Sequence, residues 1–194
     1  MSDNTFRDIC RIRLRMIDLI KSFFLAEPDA EKLARWRGIF TALSKEQISG
    51  DLDPSIQELC ELVDSLSLDG IQDEYYRFFG NPFSKELVEL SASYYVDKKT
   101  HGQTLAEMRD LLNRAGLVRE DEVVDPEDVL PVILDTLARL IEIEMKDEDG
   151  DVTVFQSELL EKYLFPLSIK VKENLQAKNG RFYKACGSFL YGYV

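Results

Sequence analysis

The sequence predicts an all-α fold of about nine or ten helices. Apolar residues recur at helical spacing along almost the whole chain, and helix start and stop signals separate the apolar stripes. No β-hairpin signal and no internal repeat period accompany them. With 194 residues, 45% of them apolar, the chain can bury the core of one ordinary domain or of two small lobes.

Four helices are predicted in the first part of the chain. The first spans about 4–25, and Pro28 is placed to open the second. Asp53 as N-cap, with Pro54 at the first helical position, should start the third. The fourth covers about 70–79 and ends at a Gly-Asn-Pro run, which tolerates left-handed backbone and disfavours further helix.

A loop separates these helices from the later ones. Residues 83–102 are predicted as a partly ordered loop, because their apolar positions suit either a short helix or an extended connection. Thr104 and Glu107 have the spacing of a capping box and should start the next helix. Gly116 should end that helix.

The remaining helices follow an acidic stretch. The first of them should begin at Asp125-Pro126, where both residue types suit a helix start. Thr153 and Gln156 repeat the capping-box spacing after an acidic turn. Pro166 should bend or restart the chain, and the last segment should be split near Gly180.

Charge limits the range of partners. The 36 acidic residues outnumber the 24 basic ones, which gives a formal net charge of −12. A duplex-binding protein needs a basic footprint, so nucleic acid is not an expected partner and cationic partners are favoured. Most of the excess lies in residues 119–151, which hold 13 acidic and 3 basic side chains. Such a run is also typical of a plain solvated surface.

The sequence favours a cytoplasmic location. Charged residues interrupt the N-terminal segment, and no window approaches the roughly 18 apolar residues of a membrane span. Neither a secretion signal nor stable membrane insertion is therefore expected. Cys10, Cys60 and Cys186 are dispersed without Cys-x-x-Cys spacing, so neither a disulfide framework nor a zinc ribbon is indicated.

Motifs for catalysis and cofactors are missing. His101 is the one histidine of the sequence and stands in a polar run, which favours a solvated side chain over a catalytic one. Glycine-rich phosphate-binding motifs and the His-Glu-x-x-His zinc motif do not occur. Three aspartates in 147–151 and Glu158 match EF-hand ligand positions, but Val152 stands where that loop needs glycine. We expect no enzyme activity, no cofactor and no bound metal.

Three stretches of the chain carry motif-like runs in a fixed order. Residues 75–82 read YYRFFGNP and 92–95 read ASYY; residues 125–130 read DPEDVL; residues 163–167 read YLFPL and 181–185 read RFYKA. These runs resemble the Tyr-x-Arg-Leu-Phe-x-Gly-Pro, Glu-Ser-x-Tyr, acidic-Pro-Asp-His-Leu, Leu-x-Pro-Trp and Phe-Tyr-x-x-Ala patterns of the cytoplasmic molybdoenzyme chaperones. That family comprises the TorD/DmsD-like redox enzyme maturation proteins for trimethylamine-oxide and dimethyl-sulfoxide reductases.

The match departs from the family patterns at two positions. Val129 replaces the family histidine, and Leu167 replaces the tryptophan. The first change removes a titratable side chain and leaves peptide binding intact.

The resemblance implies an architecture and a function. It implies two helical lobes, 1–118 and 125–194, joined by a hinge at 119–124, in a monomer that permits a domain-swapped dimer. It implies a chaperone that binds the twin-arginine signal peptide or the cofactor-free form of a molybdopterin-containing oxidoreductase, assists cofactor insertion and delays export. The residues that it implies for peptide binding are Tyr75, Arg77, Phe79, Pro82, Ser93, Tyr95, Asp125, Pro126 and Asp128.

This function agrees with the residue chemistry. A twin-arginine signal peptide presents two guanidinium groups and then an apolar segment, so its receptor needs carboxylates beside an aromatic-lined groove. Asp125 and Asp128, at the predicted acidic helix start, are expected to take the arginines. The rings expected to line the groove are those of Tyr75, Phe79, Tyr94 and Tyr95.

Structural roles explain the same residues equally simply. Helix capping and the helix dipole account for Asp125, Pro126 and Asp128. The i, i+3, i+4 spacing of Tyr75, Phe78 and Phe79 is typical of a buried helix face. Two other functions also stay open: a helical adaptor for another basic amphipathic segment, and a nucleotide-binding helical protein, for which no phosphate loop is present.

Overall fold

The computed structural model describes residues 3–118, 124–146 and 152–194, and it confirms the all-α prediction. Within those ranges the chain forms ten α-helices and two π-helical segments. In chain order they are α1 Asp3–Phe24, α2 Ala30–Leu43, α3 Asp53–Ser65, α4 Leu68–Tyr75, π1 Tyr76–Gly80, α5 Ala92–Asp97, α6 Gln103–Arg114, α7 Leu130–Glu144, α8 Val152–Leu159, π2 Leu160–Leu164, α9 Phe165–Gln176 and α10 Phe182–Tyr193.

The helices group into two compact units. Unit 1 comprises Met1–Lys21 and Leu90–Leu167, and unit 2 comprises Ser22–Glu89 and Ser168–Val194. This division differs from the lobes expected from the sequence, since the segments on both sides of the expected hinge belong to unit 1. Residues 119–123 of that hinge lie outside the described residues, so the hinge stays a prediction.

The core of unit 1 is aliphatic. Helix α7 contributes six buried aliphatic side chains between Leu130 and Ile141, because its apolar residues repeat on one face. A polar network ties the end of α7 to two other helices: Arg13 of α1 donates to Gln156 of α8 (2.9 Å), and Gln156 donates to Glu144 of α7 (2.8 Å). Because each buried polar group has a partner, the network joins three helices without an unpaired charge.

The core of unit 2 is aromatic. Trp36 of α2 is fully buried and stacks on Phe182 of α10, with ring centroids 5.3 Å apart. Its indole N–H donates to Ser22 Oγ (2.8 Å), so its polar atom is satisfied. Phe23 packs edge-on against Trp36 at 5.2 Å, and Phe40 against Phe189 at 5.7 Å. The rings therefore join α1, α2 and α10 around one packed centre.

Two predicted helix caps are wrong. Helix α3 begins with Asp53 itself, whose carboxylate accepts from the N–H groups of Ile48 and Ser49 and so braces the preceding turn. Helix α6 begins after Gly102 without the predicted capping box. Its Thr104 N–H is held by Asp97 Oδ2 (2.9 Å), a residue of α5. The stop at Gly116 is confirmed, since its φ of 68° is the left-handed geometry that glycine tolerates.

The predicted start of α7 is also wrong. Helix α7 begins at Leu130, with Pro131 in its first turn, and not at Asp125-Pro126. Residues 124–129 instead run beside the start of α5, where Ser91 and Val129 form an isolated antiparallel bridge. The predicted loop 83–102 contains the short helix α5, and its other residues are irregular.

The remaining predictions concern the start of α8, the EF-hand-like spacing, metal binding and membrane insertion. Gln156 bonds to side chains of other helices and so does not serve the capping box predicted for α8. The aspartates 147–151 of the EF-hand-like spacing lie outside the described residues. In the described ranges, no cluster of metal-binding side chains occurs. No helix in these ranges is long and apolar enough to cross a lipid bilayer.

Candidate functional site

The structure places the predicted binding residues in both units. Residues 75–82 belong to unit 2, whereas Ser93, Tyr95 and residues 125–128 belong to unit 1. The aromatic surface of unit 2 and the acidic surface of unit 1 are therefore described one after the other.

The aromatic run of unit 2 has one buried face and one partly exposed face. Phe78 is fully buried, whereas Tyr75 and Phe79 are half-buried. The Phe79 ring lies 5.0 Å from Tyr183, 5.5 Å from Tyr75 and 5.8 Å from Phe24. Tyr75 and Phe79 thus form a ring pair that rests on the core and still presents edge surface to solvent.

A π-helical turn sets the direction of these rings. Segment π1 follows α4 without a break, and the Asn81 N–H closes it by donating to the Tyr76 carbonyl (2.8 Å). The wider turn changes the direction of the side chains that follow Tyr75. Such turns are frequent at functional sites. The Val88 N–H then donates to the Phe78 carbonyl (2.8 Å), which fastens the following loop to π1.

Arg77 is a positioning residue in this arrangement. Its guanidinium lies over the Phe78 ring and donates to Glu86 (2.8 Å) and to the Asn179 carbonyl (3.1 Å). Hydrogen bonds from the Asn179 N–H, and then from Arg77, hold the pKa of Glu86 below its usual range. Arg77 therefore fixes the loop after π1 to the turn before α10, while Pro82 at the tip of that loop is exposed.

Asp128 lies at the centre of the unit 1 site and is completely buried. Its Oδ2 accepts from Ser91 Oγ (2.9 Å) and from the Ser93 N–H (2.8 Å), and its carbonyl accepts from the Ala92 N–H (2.9 Å). These are donors at the start of α5, which has no side-chain cap of its own. Asp128 therefore caps α5 from a distant part of the chain.

This placement corrects the helix start expected at Asp128, whereas its expected contact with a guanidinium stays a prediction. The residue was expected to stabilise the start of its own helix and to offer its carboxylate to a guanidinium. Instead it is buried beside α5, and its Oδ1 has no hydrogen-bond partner in the described part of the chain. The helix that it caps carries the Tyr94 and Tyr95 rings, which lie 5.2 Å apart and edge-to-face.

The residues around Asp128 differ in exposure. Asp125 is exposed and Pro126 is half-buried, so both are accessible to a ligand. Glu127 is buried and pairs with Arg109 Nε of α6 at 3.0 Å. Tyr94 is exposed, and Ser93 is buried. Of the predicted unit 1 residues, Asp125, Pro126 and Tyr95 can reach a ligand directly, and Ser93 and Asp128 hold the backbone behind them.

Sequence reasoning missed Glu74. This residue is buried on α4, one position before the aromatic run, and its carboxylate accepts from the N–H groups of Arg181 (2.7 Å) and Tyr183 (3.2 Å). It thereby caps α10, whose own start lacks a side-chain cap. The sequence did contain an indication of this role, because a glutamate on the buried, apolar face of a helix requires a hydrogen-bonding partner.

The family of the chain is shown by a match over residues 45–167 to the family model described as nitrate reductase delta subunit. The match covers well over half of the sequence and includes the runs at 75–82 and 125–130. The chain belongs to the nitrate reductase delta subunit family. Members of this family are TorD-like chaperones of molybdoenzyme maturation, so the resemblance noted in the sequence is confirmed.

A solved structure supports the same fold for this delta-family chain. It is the crystal structure of a candidate redox enzyme maturation protein from Archaeoglobus fulgidus, with a TM-score of 0.55 and 15% sequence identity. The alignment covers 92% of this chain and 91% of that one. At this identity the likeness shows the fold alone. No curated protein matches the sequence significantly.

Proposed function

We propose that this delta-family chaperone binds the twin-arginine signal peptide of a molybdoenzyme catalytic subunit in the cytoplasm. The observation that carries the proposal is the presence of two aromatic pairs in the motif runs, Tyr75 with Phe79 and Tyr94 with Tyr95, whose rings pack against each other and remain partly accessible. An apolar peptide segment needs such rings, because they offer large contact area with little loss of conformational entropy. Retention of the client until its cofactor is inserted would follow from occupancy of the export signal.

The charge of the protein supports a basic ligand. The net charge of −12 attracts a peptide that carries two arginines, and Asp125 is an exposed carboxylate on the segment that pairs with the start of α5 through the Ser91–Val129 bridge. Of the residues implied by the resemblance, we assign direct contact to Tyr75, Phe79, Pro82, Tyr95, Asp125 and Pro126. Arg77, Ser93 and Asp128 position them.

The decisive experiment compares two peptides. We expect calorimetry to show tighter binding of a twin-arginine signal peptide than of its twin-lysine version, because a planar guanidinium makes two parallel bonds to a carboxylate and an ammonium does not. Both titrations are run at two salt concentrations, since exposed ion pairs are screened. Equal affinities would leave only general attraction by an acidic surface and would favour an adaptor for other basic segments.

Nucleotide binding is tested separately. A nucleotide that binds the folded state raises the melting temperature, so we expect no shift with guanosine triphosphate and magnesium. A shift that depends on nucleotide concentration would contradict the assignment of this chain to peptide binding alone.

Replacement of Asp128 by asparagine tests its positioning role. We expect Asp128→Asn to lower the free energy of unfolding by about 1.5–3 kcal/mol, because hydrogen bonds to a buried charged acceptor are worth that much. Peptide affinity should fall as well, since α5 carries Tyr94 and Tyr95. The measurements are urea denaturation and calorimetry of the same variant.

Asp125→Asn is the matched control for Asp128→Asn. Asp125 is exposed, so its replacement should change stability by less than about 0.5 kcal/mol while weakening peptide binding. If Asp128→Asn were as stable as the wild type and still lost affinity, Asp128 would contact the peptide directly and the buried arrangement would have to open.

A further inference from the structure

Unit 1 contains a cleft that none of the proposed peptide contacts uses, although Tyr163 in its lining is the first residue of the YLFPL run. It has a volume of about 370 Å³ and lies between α6 and the continuous α8–π2 segment. The α6 residues that line it share one face, because Gln103, Glu107, Asp110 and Arg114 follow one another at intervals of three or four positions. Its lining consists of Gln103, Ala106, Glu107, Asp110, Arg114, Glu158, Lys162 and Tyr163.

The two cations of the cleft are already paired. Arg114 donates twice to Glu158 (2.9 and 3.0 Å) and once to Asp110 (2.9 Å), and Lys162 donates to Glu158 (2.8 Å). Bonds from Lys162 and then Arg114 hold the pKa of Glu158 below its usual range. Glu107, in contrast, receives one neutral hydrogen bond, from Gln103 (3.2 Å). The carboxylates therefore outnumber the cations, and Glu107 carries the charge that is not offset.

Tyr163 provides a second, independent feature of the cleft. The residue is only 3% exposed, yet it lines the cleft, and no residue in the described ranges hydrogen-bonds to its hydroxyl. Burial, and then the charges of Glu107 and Glu158, raise the pKa of Tyr163 to about 12. The hydroxyl is thus neutral at pH 7, and it stands in a field where the carboxylates outweigh Arg114.

The π-helical turn explains how Tyr163 reaches this place. Segment π2 runs from Leu160 to Leu164, and its wider turns shift the register just before Tyr163. The Tyr163 side chain is buried, and the residue lines the cleft together with Glu107 of α6. The hydroxyl opens onto the cleft without a protein partner in the described ranges, so a polar ligand there could hydrogen-bond to it.

We propose that this cleft binds the guanidinium group of an arginine side chain, paired with the Glu107 carboxylate and hydrogen-bonded to the Tyr163 oxygen. An anion is disfavoured, because it would meet three carboxylates and two cations that are already paired. A guanidinium suits the site better than an ammonium, since its planar fork can donate to two acceptors at once. The identification of the arginine as part of a signal peptide rests on the proposed function.

The test uses a small probe as well as the peptide. Ligand-observed NMR with Nα-acetyl-arginine amide and with the lysine analogue measures binding to the full chain, and calorimetry measures the twin-arginine peptide. We expect the arginine probe to bind more tightly than the lysine probe. Tyr163→Phe and Glu107→Gln should each weaken the arginine probe and the peptide by about three- to tenfold, as loss of one hydrogen bond or exposed ion pair predicts.

Two controls separate binding from folding. Glu61→Gln changes an exposed glutamate on α3, outside the cleft, and should leave both affinities unchanged. Glu107 is also exposed, so Glu107→Gln is expected to fold normally and keeps the test valid even if Tyr163→Phe proves unstable.

The outcomes distinguish this inference from the proposed function. If the peptide binds and neither cleft variant weakens it, the cleft is not the arginine subsite and the proposed function stands. If the arginine probe binds through Tyr163 and Glu107 and the signal peptide does not bind, the subsite stands and the proposed function fails. Equal binding of the lysine probe would overturn the guanidinium assignment.

Discussion

Replacement of Glu74 by alanine is expected to lower the free energy of unfolding by about 3–5 kcal/mol. The carboxylate accepts from the Arg181 and Tyr183 N–H groups at the start of α10, and each bond to a buried charged acceptor contributes about 1.5–3 kcal/mol. The chain packs tightly around this carboxylate, because a Cβ on Gly180 would lie 2.7 Å from the Phe78 ring and 2.8 Å from Glu74 Oε2. Denaturation with urea provides the measurement.

Two further variants define the origin of this loss. Glu74→Gln keeps the shape and one acceptor oxygen, so it should lose roughly half as much stability as Glu74→Ala. Glu173→Ala removes an exposed carboxylate that pairs with Lys170 on the same helix, and it should cost less than about 1 kcal/mol. If Glu74→Ala were no more destabilising than Glu173→Ala, the start of α10 would not depend on a cap from α4.

The helices were predictable from the sequence, whereas most of their caps were not. Helical periodicity is local, so the stripes of α1, α2, α6 and α7 identified the helices, and the structure confirms them. Caps depend on residues that are far apart in the chain. Helices α5, α6 and α10 are each held at their start by a carboxylate of another segment: Asp128, Asp97 and Glu74 respectively.

The same reason explains the error at Asp125–Asp128. An Asp-Pro-Glu-Asp run has the composition of a helix start, and local rules place the helix there. In the structure the start moves to Leu130, because residues 128–130 bond to the 90–92 segment, with the Leu130 N–H on the Leu90 carbonyl (2.8 Å). Pairing with a distant segment therefore prevailed over local preference, and it buries the Asp128 carboxylate beside α5.

The π-helical segments show a second limit of local patterns. Pro166 was predicted to bend or restart the chain, and it lacks the N–H that would continue an α-helical ladder to residue 162. The wider turn of π2 accommodates the missing hydrogen bond, and the chain continues directly into α9. A pattern of 3.6 residues per turn identifies which residues are apolar there, but the extra residue in the turn decides that Tyr163 borders the cleft.

Phe78 and Phe79 form a matched pair that separates packing from binding. Phe78 is fully buried, so Phe78→Ala should lower the free energy of unfolding by about 3–5 kcal/mol. Phe79 is half-buried, so Phe79→Ala should cost only about 1–2 kcal/mol, in proportion to the apolar area that it removes from water. Both values come from denaturation of the full chain.

Binding should respond differently. Phe79 shares a partly exposed surface with Tyr75, so Phe79→Ala should weaken the twin-arginine peptide at a temperature where both the variant and the wild type are folded. Phe79→Leu is the control that keeps apolar volume and should recover most of the stability and part of the affinity. If Phe79→Ala lost 3–5 kcal/mol of stability and kept full peptide affinity, Phe79 would be a packing residue like Phe78, and the peptide surface of unit 2 would have to exclude it.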